Sequence, residues 1–244
     1  MSKLLLVGSG EFTDSMNEID KSIAGTIDDP RVMIIPSAAG KEKNYHKWID
    51  DGVNHFSKIE IDSFGVDMIS REDFFSNKYI TLIDNCNFIY FSGGDPGYLF
   101  SCLKDTPFLK KIVERVNHDI NFVLAGSSAG AMIFGKFLLK NPLKSIFRSN
   151  NSIDLLISHS SGIVDFSVIP HFDKFSKIIN MRYLNKKFSK SFPSESLIIG
   201  IDEDTVILTE DKINYSVMGV GNVHLIRNGT VLSSYKDLEK FSIK

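Results

Sequence analysis

Cysteine is scarce in this chain: 244 residues hold only Cys86 and Cys102, each beside apolar neighbours and without Cys-x-x-Cys spacing. That usage offers no disulfide framework or cysteine metal site and fits buried thiols in a reducing compartment. Blocks of five or more like charges are also missing, and 28 Lys+Arg against 30 Asp+Glu leave a net charge of −2. No nucleic-acid or anionic-membrane surface is therefore expected, and the expected partner is a small molecule. No apolar run reaches the length that spans a membrane, and Leu4 to Val7 is too short for a signal peptide. A cytoplasmic protein is expected. What the chain does have is core-forming material, 43% hydrophobic, enough for a single domain over 1–244, since α/β folds often reach this size undivided.

The most informative stretch runs from Asn121 to Gly135, Asn-Phe-Val-Leu-Ala-Gly-Ser-Ser-Ala-Gly-Ala-Met-Ile-Phe-Gly. Phe122 to Ala125 suit a buried strand, Gly126-Ser127-Ser128-Ala129-Gly130 gathers five small residues, and Met132 to Phe134 resume the apolar pattern. A serine at the centre of Gly-x-Ser-x-Gly sits on a strained strand-to-helix turn that small neighbours permit, with its hydroxyl held over the carboxyl edge of the sheet. Ser128 has that place and Ser127 does not. A helix starting there would aim free N–H groups at a developing oxyanion.

In chain order, Lys3 to Val7 is a strand closed by Gly8-Ser9-Gly10, followed by a helix carrying Met16, Ile19 and Ile23. Gly8-x-Gly10 lacks a third glycine at Thr13, so a nucleotide site is not expected there. Val32 to Pro36 is a fully apolar strand ending in Ser37-Ala38-Ala39-Gly40, and Tyr45 to Phe56 is an amphipathic helix. Ile59 to Val66 reads as a third strand, a short helix passes through Tyr79 and Leu82, and Phe88 to Phe91 is a buried strand closed by Ser92-Gly93-Gly94-Asp95-Pro96-Gly97. Two helices, through Leu99 and through Ile112, precede the Ser128 turn. Strands alternating with helices predict a doubly wound, mostly parallel sheet whose ligand crevice lies beyond the strand carboxyl ends. Asn141 to Ser161 reads as loop with one short element, Val168 to Asp173 as a strand ending on His171, and Lys174 to Phe188 as a helix rich in Lys and Arg. Leu197 to Ile201, Thr205 to Leu208, Ile213 to Val217 and Val223 to Ile226 predict a short antiparallel C-terminal extension.

A serine nucleophile needs a base, an orienting acid and an oxyanion pocket. Of six histidines, His171 ends a strand where a base can face Ser128. His46 and His55 belong to a helix, His118 precedes a strand on the far edge, and His159 lies in irregular chain. His224 is the one rival, in a Ser128, Glu203, His224 order like that of α/β-hydrolases, although it reads as mid-strand.

Six ordered segments then carry a resemblance: Leu6 to Phe12, Ile35 to Gly40, Phe91 to Leu99, Ala125 to Ala131, Ile169 to Asp173 and Gly200 to Glu203. Together they resemble the serine-peptidase family that contains peptidase E (aspartyl dipeptidase) and cyanophycinase. The resemblance covers nearly the whole chain. It implies a flavodoxin-like, three-layer α/β/α sandwich of the class I glutamine-amidotransferase type, with Ser128 as nucleophile and His171 as base. It also implies oxyanion N–H groups from Gly94 or Asp95 and from Ala129. The acid is expected at Glu203, matching the family's Gly-x-x-Glu, with Asp165 and Asp173 as alternatives. Such a site needs no cofactor and no metal.

Peptidase E places two arginines three apart after the histidine. Here Arg182 matches the second, while Ile179 falls near the first. Arg182 and Lys174 remain as candidate substrate-binding cations, and strict Asp-x specificity is not implied. The expected activity is hydrolysis of a small, acidic peptide or amide through an acyl-enzyme. The second reading is a non-catalytic ligand-binding or sensor domain that keeps the elbow geometry. A glutamine amidotransferase would need Cys at Ser128 and a His-x-Glu pair that His171 does not begin. Many folds of this kind form homodimers, and the sequence leaves that assembly open.

Overall fold

The computed structural model describes residues 2–139, 157–174 and 192–243. Strands β1 (Lys3–Val7), β2 (Arg31–Ile35), β3 (Asp62–Gly65), β4 (Phe88–Phe91) and β5 (Val123–Ser127) run parallel in the spatial order β3-β2-β4-β5-β1. Helices α1 (Asn17–Ala24), α2 (His46–Lys58), α3 (Asn77–Leu82), α4 (Pro96–Leu103) and α5 (Pro107–His118) alternate with them. Successive strand side chains point to opposite faces, and both faces here are covered. Leu5, Val7, Val32 and Ile34 pack against Ile19, Ile23 and Phe56 on one side. On the other, Leu4, Leu6, Met33 and Ile35 pack with Leu99, Ile112 and Val116. The expected doubly wound sheet is therefore present, and its buried strands carry no polar alternation.

Two helices begin as their sequences dictate. Asp95 accepts the Tyr98 N–H ahead of Pro96, and Thr106 accepts the Leu109 N–H ahead of Pro107, each pairing a side-chain cap with a proline whose missing N–H costs nothing at that position. Cys86 and Cys102 are buried free thiols. Among the described residues, no helix is long and apolar enough to cross a membrane.

The C-terminal part is larger than the expected extension. After β6 (Phe137–Leu139), β7 (Ile157–His159), β8 (Ser167–Ile169) and β9 (Leu197–Ile201), strands β10 (Thr205–Thr209) and β11 (Asn214–Gly219) join β1 antiparallel, with β14 (Lys240–Ser242) outside them. A second sheet has the order β13-β12-β9-β8, where β12 is Asn222–Arg227 and β13 is Thr230–Lys236. The β9–β10 turn thus passes from one sheet to the other. Because Val206 of β10 lies opposite Val7 of β1, that turn arrives at the carboxyl end of β1, where Gly8 donates its N–H to Thr205 O and Asp204 to Ser9 O. Reach across two sheets is what brings residue 203 to the edge that carries residue 128.

β5 ends in close backbone packing. A Cβ placed on Gly126 would overlap the Gly130 carbonyl, and one on Gly130 would overlap the Phe91 carbonyl. Backbone cannot yield as a flexible side chain does, so Gly126→Ala should lower stability by about 1–3 kcal/mol in a urea titration. Gly25→Ala, at a φ of −65° and with its nearest neighbour at 3.4 Å, should be neutral or stabilising. Equal midpoints for the two variants would contradict this account of the turn.

Candidate active site

The turn after β5 places Ser128 at φ 49°, ψ −106°, a conformation that a residue with a Cβ rarely adopts. It is held there by the Ser128 N–H donating to Val7 O at 3.0 Å and by the close Gly126/Gly130 contact. The helix that follows is a single turn, α6 (Ala129–Met132). Its macrodipole is correspondingly small, and the local N–H groups matter more than the length expected from the sequence. Ser127 is fully buried and donates its hydroxyl to Glu11 Oε2 at 2.5 Å, while Ser128 keeps partial exposure.

His171 follows β8 with φ 52°, so a second residue of the group stands in the left-handed region. Its Nε2 lies 3.0 Å from Ser128 Oγ and its Nδ1 lies 2.6 Å from Glu203 Oε1. With the ring proton on Nδ1 and donated to the carboxylate, Nε2 presents a lone pair to the serine hydroxyl. The three residues named from the sequence thus stand in one line, drawn from β5, β8 and the β9–β10 turn. Burial alone pushes the Glu203 carboxyl up, but hydrogen bonds from Lys174 and His171 outweigh it and hold the group below its ordinary value.

Three expectations are revised by the side-chain geometry. Lys174, taken as a substrate-binding cation, places its Nζ 2.6 Å from Glu203 Oε2, and that hydrogen bond raises the ammonium above its ordinary value. It is engaged with the acid and is not a free cation for substrate. Asp95, taken as one of two alternative oxyanion donors, gives its N–H to Ala38 O at 2.8 Å and its carboxylate to the cap of α4. Gly94 is left, with φ 140° and no room for a Cβ, since one would meet Ala38 backbone at 2.5 Å. Of the alternative acids, Asp165 pairs with Lys136 at 2.7 Å, and Asp173 Oδ1 accepts the Glu203 N–H at 3.1 Å, supporting the turn rather than the histidine. Arg182, Ile179 and the predicted helix over Lys174 to Phe188 lie outside the described residues beyond Lys174.

Three of the other histidines have polar partners of their own. His55 is buried against Asp20 at 2.8 Å, His46 pairs with Asp67 on the surface, and His224 bonds Asp202 at 3.2 Å and Ser234 at 2.8 Å. Burial pushes the Asp202 carboxyl up, but hydrogen bonds that it accepts from His224 and Asn222 outweigh this and hold it below its ordinary value. His224 does pack against Phe172 in a tilted ring contact, at 4.7 Å between ring centres, so it lies against the residue next to His171. Two residues near the site escaped sequence reasoning. Glu11 is buried beside Ser127, and Trp48 on α2 lies 3.6 Å from where a Gly93 Cβ would sit. Helical periodicity marks Trp48 as a packing residue and gives no sign that its ring borders the Gly93–Gly94 turn.

The profile of peptidase family S51 matches residues 4–215. The cyanophycinase of Geminocystis herdmanii is 28% identical over 234 residues, which span 92% of this chain and 80% of that protein. The Synechococcus elongatus cyanophycinase is 26% identical over 199 residues, 81% of this chain and 59% of that one. Against that protein and three further cyanophycinases, the chain spans only 53 to 59% of the relatives' length. The crystal structure of a peptidase from an acI-B1 Actinobacterium superposes with a TM-score of 0.82 at 30% identity, over 100% of this chain and 97% of the other. A putative peptidase E protein from Listeria monocytogenes, at 20% identity and a TM-score of 0.64 over 91% of this chain and 100% of its own, shares the fold. With a family match across most of its length and a likeness to a solved peptidase at both sequence and fold level, this chain belongs to peptidase family S51 and is a peptidase.

Proposed function

We propose that the protein hydrolyses a small peptide or amide bond by acyl transfer, with Ser128 as nucleophile, His171 as general base and Glu203 as orienting acid. The observation that carries this reading is the continuous Ser128–His171–Glu203 contact, 3.0 Å and then 2.6 Å, on a serine whose backbone is held at positive φ. In the reaction, Ser128 Oγ attacks the substrate carbonyl carbon as its proton passes to His171 Nε2, and the resulting imidazolium is stabilised by Glu203. The same proton then goes to the leaving amine as the carbon–nitrogen bond breaks. Water deacylates the serine by the reverse proton path. The Gly94 and Ala129 N–H groups, which have no acceptor among the described residues, are the donors for the oxyanion.

An acidic substrate is favoured by the family likeness and by Arg182. Lys174, being held by Glu203, supports the orienting acid instead. A missing first arginine at Ile179 removes one charge-assisted contact, about 1.5–3 kcal/mol, or roughly tenfold to a hundredfold in selectivity.

Fluorophosphonate labelling with mass mapping tests the nucleophile. Ser128→Ala should abolish the adduct and Ser127→Ala should retain it. His171→Ala should cost several orders of magnitude in rate, Glu203→Gln less, and Asp165→Asn and His224→Ala little, all in variants shown to be folded. An adduct on Ser127, or a dominant effect at His224, would contradict the assignment.

A panel of dipeptides and β-linked aspartyl isopeptides, varied at the N-terminal residue, tests the substrate. Cleavage should extend beyond Asp-x dipeptides, and Arg182→Ala should weaken the acidic preference. Strict Asp-x cleavage would show that another cation replaces the arginine absent at Ile179.

The Lys174 contact predicts a pH dependence. Since Glu203 sits below its ordinary value, it contributes stability that is present above the ordinary glutamate range and lost as pH falls through the folded value. Lys174→Met removes the leading cause of the lowering. Its thermal midpoint should fall below wild type at neutral pH, and the gap should close in acid below the folded value. A gap independent of pH would mean that the Lys174 contribution is packing alone.

A further inference from the structure

We propose that Glu11 is a positioning residue that fixes both walls of the oxyanion pocket, an inference that rests on the acyl-transfer reading above. Its two carboxylate oxygens have different tasks. Oε1 accepts the Gly93 N–H at 2.8 Å, and Oε2 accepts the Ser127 hydroxyl at 2.5 Å. Gly93 precedes Gly94, and Ser127 stands two residues before Ala129, so one side chain is bonded next to each donor.

The backbone around each donor shows the same pattern. In the glycine turn the N–H groups on either side of Gly94 are held, Gly93 by Glu11 and Asp95 by Ala38 O. The N–H between them is the one left to face a ligand. At the elbow, Ser128 N–H is held by Val7 O and Met132 N–H by Ser128 O, while the Ser127 side chain is held by Glu11. Ala129 N–H, like those of Gly130 and Ala131, has no acceptor among the described residues, and it is the one that directly follows Ser128. Other hydrogen bonds on these turns go to β1, to Ile35 of β2 or to the turn after β2, and Gly130 packs against Phe91 of β4, but among the described contacts Glu11 is the side chain that hydrogen-bonds to both turns.

The loop that delivers Glu11 is itself strained. Gly10 has φ 86° and Phe12 has φ 65°, so the residues on both sides of Glu11 are left-handed. For phenylalanine that conformation costs on the order of 1–3 kcal/mol and persists only where surrounding structure enforces it. Phe12 is enforced by ring contacts to Tyr90 at 4.9 Å, His55 at 5.9 Å and Phe56 at 6.2 Å. Glu11 itself is 9% exposed, and a carboxylate is buried at a cost unless its oxygens are bonded. Strain and burial together are spent on one carboxylate that touches neither His171 nor Ser128 Oγ among the described contacts, which points to alignment of the donors.

A donor displaced by a fraction of an ångström stabilises the oxyanion less without changing the nucleophile or the base. In Glu11→Gln the amide retains shape and one acceptor oxygen but cannot accept both hydrogen bonds. The readout is the rate of fluorophosphonate labelling at Ser128 per folded molecule, in which Ser128 Oγ bonds to phosphorus as its proton passes to His171 Nε2, the phosphorus–fluorine bond breaks with fluoride leaving, and the phosphoryl oxygen enters the oxyanion pocket. Adduct stoichiometry and the thermal midpoint are measured alongside. Glu11→Gln should label about tenfold to a hundredfold more slowly than wild type at full stoichiometry, short of the loss of about 10²–10³ that follows removal of a donor. Ser127→Ala, which frees one Glu11 oxygen, should label more slowly by less than about tenfold. A purely structural role would lower the midpoint and the stoichiometry while leaving the rate per folded molecule within about twofold of wild type, and that result would overturn the proposal. Should Glu11→Gln not fold, a wild-type rate in Ser127→Ala overturns it equally. Failure of the wild-type protein to label at Ser128 is a separate outcome that removes the acyl-transfer reading on which the proposal stands.

Discussion

The constraint on which the site depends is the backbone of Ser128, bent to φ 49° at the end of the central strand β5. A β-substituted residue stays there only because its surroundings leave no alternative. Gly126 and Gly130 let the chain fold back on itself at van der Waals distance, Phe91 closes the turn from β4, and Val7 O accepts the Ser128 N–H from β1. The elbow is thus built by the three central strands, and its geometry inherits their rigidity. A hydroxyl on a loop of its own could not be presented so reproducibly.

Around that point the charges are arranged in order. Lys174 bonds Glu203, Glu203 bonds His171, and His171 faces Ser128. Burial pushes the Glu203 carboxyl up, but the lysine and histidine outweigh it and hold the group below its ordinary value, which favours the ionised form. An ionised acid is what an imidazolium needs beside it during proton transfer. Asp173 and the β9–β10 crossing hold the glutamate's backbone, while Asp202 and His224 fill the layer beneath, against Phe172. The second sheet therefore serves the first: it delivers His171 and Glu203 to an edge whose Ser128 belongs to the parallel strands.

Much of this was readable from the sequence because it is local. The buried apolar strands and the small-residue turn at 126–130 are each specified by a few consecutive residues, and the carboxyl edge of a parallel sheet then collects them, whereas the strand expected to end on His171 stops at Ile169 of the second sheet and His171 follows it at positive φ. Glu203 followed from motif resemblance, and its place near His171 depends on a crossing between sheets that no local pattern encodes. What could not be read were contacts between segments distant in sequence. Lys174 looks like a substrate-binding cation until Glu203 lies beside it. Asp95 looks like an oxyanion donor until Ala38 takes its N–H. Glu11, more than a hundred residues before Ser127, has no periodic or spacing signal at all. The late strands β13 and β14 were missed because their polar, exposed positions carry little alternation.

The central claim is that hydrolysis proceeds through an ester of Ser128. Rapid acid quench during turnover of the best-cleaved dipeptide, followed by peptide mass mapping, observes that ester directly. The account predicts a transient acyl mass on the peptide that contains Ser128, formed in an amount that rises with the burst of amine release. Turnover with no covalent species, or an acyl group mapped to any other residue, would contradict it.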